Sequence, residues 1–345
     1  GSSKRAMSLG EMTRSAIDVL DRKNDDGFFL MVEGSQIDWR AHDLDAPGVV
    51  EETLDFDGAV AEALDYASKR DDPLVVVTSD HETGGMAILD PTYAETFEKA
   101  LGGADAARKM TQWKGESAPD VMPPTHYIDL GRSDGRLPRD EGFFGPTRAT
   151  DARMATTFGH VSLASRGECE TPREFSSLHT PLFVPLFAQG KAAWYVGAAE
   201  DNAELGRRLN ELITGEFRPS GRPVTGSLSP GDERPPKNVV LMIGDGMGVG
   251  SLTASHYARG PLAMADLPVK GMVATHAADG VVADSASSGT ALATGKRSNI
   301  GVVGMASTDD GLASAESILE RDESTGKATG IITTTTMTHA TPAAF

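Results

Sequence analysis

The 345-residue chain is 39% hydrophobic, enough for one large or two small α/β domains with a substantial core. Its net charge of −18 excludes a nucleic-acid-binding surface, which needs basic patches to neutralise phosphates, and fits a carboxylate-rich exterior of the kind that tolerates salt. The single cysteine, Cys169, excludes an intrachain disulfide or a thiolate zinc cluster; no apolar run approaches membrane-spanning length, and the opening GSSKRAMSLG lacks the apolar core of a signal peptide.

Apolar spacing over 9–22 (LGEMTRSAIDVLDR) predicts a helix, and GFFLMVEG (27–34) a buried strand ended by glycine. A second helical pattern covers 49–70, and PLVVVTSDH (73–81) is a β-branched run that stops on charged residues. This alternation predicts parallel βαβ units. Between 90 and 178 the pattern weakens into an irregular insertion or lid. Strand character resumes in TPLFVPLFAQG (180–190) and AAWYVG (192–197), and 201–217 is an amphipathic helix. The Pro/Gly/Ser-rich 218–236 is a linker, and KNVVLMIGDG (237–246) is another buried strand. The expected fold class is α/β, a largely parallel central sheet flanked by helices.

Three predicted strands end in acids, Glu33, Asp80 and Asp245. In open parallel sheets ligands bind beyond the carboxyl ends of strands, so these acids can share one crevice. Asp38 and His42, four apart, fall on one face of a helical turn; Asp80 and His81 are adjacent at a strand end; His179 opens another core segment. His126, His160, His256 and His276 lack such company and read as structural or exposed. Oxygen and nitrogen donors without sulfur suit zinc and magnesium, and two His/Asp clusters suggest two zinc ions, an arrangement suited to in-line displacement at phosphorus.

ADSASSGTALATGKR (283–297) admits three readings: a linker, a phosphate-cradling loop or the seat of a catalytic serine. Its glycines enclose five residues rather than the four of a P-loop, and Arg297 stands where a Ser/Thr would bind magnesium. Its Ala and Leu content suits a helix starting at Asp284-Ser285, where free N–H groups and the dipole favour a phosphoryl anion. Ser285 is then the candidate nucleophile.

Together IGDGMG, ADSASSGTALATG, THATPAAF, FLMVEGSQIDWRAH, VTSDHETGG and HTPLF resemble the metal-binding and nucleophile motifs of bacterial alkaline phosphatases. The resemblance implies that Ser285 is phosphorylated, that Asp38, His42 and His179 bind one zinc, and that Asp80, His81 and Asp245 bind a second. It further implies one magnesium held by Asp245, Glu33 and Thr341. His339 and Trp39, which replace the commoner Asp and Lys, stand near the phosphate or the third metal through water.

Phosphate monoesters are the implied substrates and inorganic phosphate the product, with an alkaline pH optimum, a homodimer and a periplasmic or secreted location. Two departures from the family accompany these expectations. The half carrying IGDGMG and the nucleophile (237–345) follows the half carrying FLMVEGSQIDWRAH, VTSDHETGG and HTPLF (1–217), the reverse of the family order. A family segment that follows ATPAAF, with a phosphate-clamping arginine, has no counterpart before Phe345. Two alternatives therefore stand beside the phosphomonoesterase: a phosphodiesterase- or sulfatase-type hydrolase, and a non-catalytic metal and phosphate binder.

Overall fold

The computed structural model describes residues 7–23, 25–43, 45–89, 126–129, 153–158, 161–162, 176–217 and 235–345. In chain order the elements are α1 (Leu9–Lys23), β1 (Phe28–Glu33), α2 (Gln36–His42), α3 (Ala46–Ser68), β2 (Leu74–Thr78), β3 (Glu82–Thr83) and β4 (Met86–Leu89). Then come β5 (His126–Asp129), β6 (Arg153–Phe158), β7 (Val161–Ser162), β8 (Ser176–Ser177), β9 (His179–Thr180), β10 (Val184–Gly190), α4 (Ala193–Val196) and α5 (Asn202–Thr214). The last part holds β11 (Val239–Ile243), α6 (Val249–Arg259), β12 (Val269–Val273), α7 (Ser285–Thr294), β13 (Met305–Thr308), β14 (Gly311–Ser314), α8 (Ile318–Ser324), β15 (Ala328–Thr333) and α9 (Ala340–Ala343). Apart from short strands, the 90–178 insertion lies outside the described residues, as does most of the 218–236 linker. No described helix is long and apolar enough to cross a membrane.

Six strands form the central sheet in the order β12-β10-β2-β11-β1-β15. The run from β2 to β15 is parallel, and β10 and β12 add an antiparallel edge. Side-chain alternation along a strand explains why the sheet is apolar on both faces. Phe28, Leu30 and Val32 enter one core with α3 residues Phe56, Ala59 and Val60. Phe29 and Met31 enter the other, with Leu205, Leu209 and Leu212 of α5 and Leu292 of α7. The result is a sheet between two helical layers.

Strand β2 lies directly beside β11, with Thr78 opposite Ile243, although the two are separated by the linker in sequence. On its other side β11 pairs with β1, Glu33 opposite Ile243, and β1 pairs with β15. Four parallel strands thus deliver their carboxyl ends to the same edge of the sheet.

One expected element is different. AAWYVG forms the short helix α4 rather than a strand, entered through Ala192 at φ 60°. Trp194 and Tyr195 instead pack their rings against Phe217, at 6.2 and 4.7 Å between centroids. Aromatic packing at the end of α5 outweighs the β-propensity of the segment.

Helix α7 is seated against α5 at Gly206, where an added Cβ would lie 2.4 Å from the Ala291 carbonyl oxygen and 2.5 Å from that of Leu292. Gly206→Ala is therefore expected to push the two helices apart and lower stability by about 1–3 kcal/mol. A denaturant midpoint equal to that of the parent would contradict this packing.

Candidate active site

The loops after β1, β2, β11 and β15 converge because their backbones are tied to one another. Gly34 N–H donates to the Ile243 carbonyl and Gly244 N–H to that of Thr78, each at 2.9 Å, which continues the ladder beyond the strands. Gly246 then turns at φ 71°, where an added Cβ would lie 2.7 Å from Asp38 Cα. Only glycine lets Asp245 and the start of α2 approach this closely.

Helix α2 presents Asp38 and His42 from one face, as their spacing predicts. His42 Nε2 lies 3.3 Å from Asp38 Oδ1 and 3.1 Å from His179 Nε2, and His179 Nε2 lies 3.6 Å from Asp38 Oδ1. His179 Nδ1 faces the Ala283 carbonyl at 3.1 Å, which makes it the protonated nitrogen and leaves Nε2 directed at the cluster. Asp80, His81 and Asp245 form a second group whose potential ligand atoms lie within 4.8 Å of one another. Glu33, Asp245 and His339 form a third by the same measure. Thr341 Oγ1 donates to Asp80 Oδ2 at 3.3 Å.

These acids are buried together. Burial, with Thr333 and Thr341 hydroxyls opposing it and the neighbouring Asp80 charge adding to it, pushes the Glu33 carboxyl up to about 8. Burial and then the Asp80 charge raise Asp245 well above the carboxylate range. Burial would raise Asp38 too, but the His42 hydrogen bond and the surrounding imidazoles hold it well below. Burial and the His81 charge push His179 down to about 3.

Three buried atoms at the third group, Glu33 Oε1, Asp245 Oδ2 and His339 Nδ1, have no hydrogen-bond partner. Orphaned acceptors among crowded carboxylates fit divalent cations, which would satisfy the atoms and reverse the charge balance. The donor types agree, since imidazole and carboxylate are ligands for borderline and hard cations.

Ser285 opens α7 just after its N-cap, Asp284, whose side chain accepts from Ser287 N–H in a capping box. Ser285 Oγ lies 3.0 Å from His81 Nε2 and 3.5 Å from Asp245 Oδ1. It opens into a cavity of about 440 Å³ lined also by Asp38, Trp39, His42, His179 and His339. Trp39 sets its ring edge against His339, with centroids 5.8 Å apart. Among the described residues lining the cavity none is lysine or arginine.

A family model described as alkaline phosphatase matches residues 1–214 and 236–345, leaving out little beyond the linker. The chain belongs to the alkaline phosphatase family. It is 54% identical over 81 residues to alkaline phosphatase 4 of Bacillus subtilis, covering 24% of this chain and 17% of the relative. Identity to the Escherichia coli alkaline phosphatase is 41% over 100 residues, 29% of this chain and 21% of the relative. The streptomycin-6-phosphate phosphatase of Streptomyces griseus is 49% identical over 79 residues, 21% of this chain and 18% of the relative. These matched stretches thus span about a fifth of the relatives' length. No solved structure shows significant similarity to the chain.

All eleven residues singled out by the alkaline phosphatase resemblance lie around this one crevice. Thr333 and Asp43 join them from outside the recognised motifs, and Thr83 joins them from inside VTSDHETGG, where the resemblance assigned it no role. Thr333 hydrogen-bonds Glu33 Oε2, and Asp43 lines the cavity. Thr83 lies two residues after His81, a spacing that in extended chain puts two side chains on one face and could have revealed it.

Proposed function

We propose that this chain hydrolyses phosphate monoesters with Ser285 as nucleophile and a phosphoserine intermediate. The observation that carries this reading is the placing of Ser285 Oγ, at the N-terminal end of a ten-residue helix and within hydrogen-bond reach of two members of a metal-ligand group. The positive end of the α7 dipole and its N–H groups favour a phosphoryl anion there. The Oγ–P bond forms as the P–O bond to the leaving group breaks, and the proton given up by Ser285 passes through solvent to the departing alkoxide; the oxygen of a water then bonds to phosphorus, the Oγ–P bond breaks, and a proton from that water returns to Ser285.

Asp38, His42 and His179 would hold one zinc and Asp80, His81 and Asp245 another, while Glu33, Asp245 and Thr341 would hold magnesium beside His339 and Trp39. Bound divalent ions would supply charge neutralisation for the phosphate and a lowered pKa for the hydroxyl, while alkaline pH increases hydroxide and favours product release, the basis of the proposed alkaline optimum. A periplasmic or secreted homodimer is the form the family resemblance implies.

The Ser285–His81 contact favours one other reading, in which His81 is a metal-independent general base. However, His81 Nε2 also lies 3.4 Å from Asp245 Oδ1 and 3.5 Å from Asp80 Oδ2. Without cations the site offers a phosphate dianion acidic groups and, among the described residues lining the cavity, no lysine or arginine.

The test is turnover of p-nitrophenyl phosphate against its bis ester and its sulfate analogue, with metal analysis of the same sample. The monoester is expected to be preferred, with divalent metal bound. Preference for the diester or the sulfate would establish the related hydrolase, and phosphate binding without turnover the non-catalytic binder.

A further inference from the structure

Thr83 stands between the first two ligand groups. Its hydroxyl is hydrogen-bonded to Asp38 Oδ1, and its oxygen lies 3.3 Å from His81 Nδ1. All three residues are buried. A threonine hydroxyl has one proton, and an ionised carboxylate only accepts. The Thr83 hydroxyl points at Asp38 Oδ1 and donates to it. The Thr83 proton therefore goes to Asp38, which leaves the oxygen to accept from His81 Nδ1–H.

That direction decides which nitrogen of His81 is available. With the proton on Nδ1, the neutral ring carries its lone pair on Nε2, the atom facing Asp245 Oδ1, Asp80 Oδ2 and Ser285 Oγ. The hydroxyl is held from several elements. Thr83 pairs with His179 across the β3–β9 ribbon, and its N–H donates to the Gly246 carbonyl at 3.2 Å.

We propose that Thr83 is a positioning residue that fixes His81 as the Nδ1–H tautomer while orienting Asp38, so that the two ligand groups are coupled through one hydroxyl. This rests on the metal reading of the site for its consequence, and on the hydrogen-bond geometry alone for the tautomer. Outer partners of this kind typically change metal affinity by about 10–100-fold when removed. A purely local role, satisfying buried Asp38, would affect only one of the two groups.

The experiment compares Thr83→Val, which keeps the shape and loses the hydroxyl, with Thr83→Ser, which keeps the hydroxyl. Zinc affinity is read by chelator competition on the full chain, and the histidine ring N–H signals by nitrogen-proton NMR on metal-free and zinc-loaded protein. The valine variant is expected to weaken both zinc sites together by about 10–100-fold and to lose or shift the His81 Nδ1–H signal, with serine restoring both. Parental affinity and an unmoved ring signal in the valine variant would overturn the proposal, as would weakening of one site alone. Should the parent take up no zinc, the metal reading fails, and the ring signal of the metal-free proteins still decides the role of Thr83.

Discussion

Replacing Ser285 with alanine is expected to lower kcat/KM for a phosphate monoester by roughly 10⁴-fold or more, the scale on which loss of a nucleophile acts. The variant should also fail to take up labelled phosphoryl group on the protein. Bound metal should change little, because Ser285 Oγ stands 3.5 Å from Asp245 and the ligand groups are made of carboxylates and imidazoles. The fold should also be preserved, since Asp284 and Ser287 form the capping box that starts α7. Residual turnover near the parental rate, or labelled phosphate still trapped on the alanine protein, would remove Ser285 from its role. Loss of metal together with activity would instead make the serine part of the metal assembly.

Stripping divalent metal from the full chain is expected to abolish turnover and to expose the electrostatic cost of the crowded acids. Glu33 has a carboxyl raised to about 8 from 4.5, so between these values the unfolded chain binds fewer protons than the folded one and stability falls as pH rises. His179, lowered from 6.5 to about 3, acts in the opposite sense between those values, because there the unfolded chain binds the extra proton. The two effects oppose each other up to pH 6.5. Above it the opposing His179 effect is spent, and the Glu33 effect by itself should cost the metal-free protein about 2 kcal/mol over the 1.5 units to pH 8. Asp245, shifted in the same direction as Glu33, adds to the decline.

Restoring metal should flatten this slope, since cations then face the ionised carboxylates. Denaturant midpoints of the stripped and reloaded protein at pH 6.5 and 8 measure both effects. A flat profile for the stripped protein would contradict the burial of uncompensated acids. Full turnover without metal would favour His81 as a general base.

Periodicity alone located α1, α3, α5, β1, β2 and β11, because each buries a regular apolar face that the residues themselves display. The pairing of Asp38 with His42 was equally legible, since helical geometry fixes the relation of residues four apart. Ser285 was readable as the start of a helix from Asp284 and the small residues after it. The edge strand β15 carried no such signal: every residue in it is half-buried, and Gly330 and its threonines break any apolar alternation.

Other features depended on contacts between distant segments. Segment 192–197 became a helix because Trp194 and Tyr195 found Phe217, a partner that local propensity does not register. The adjacency of β2 and β11 brings Asp80 to Asp245 across the linker, and the direct approach of His339 to Glu33 and Asp245 depends on the turn after β15. The position of Thr83 against Asp38 arises where the segment carrying His81 and Thr83 meets α2. The sequence by itself determined which side chains could act as ligands and nucleophile, through residue type and short-range spacing. Tertiary structure decided which of them share an atom's neighbourhood, because sheet order and backbone approach at Gly246 set distances that spacing along the chain does not encode.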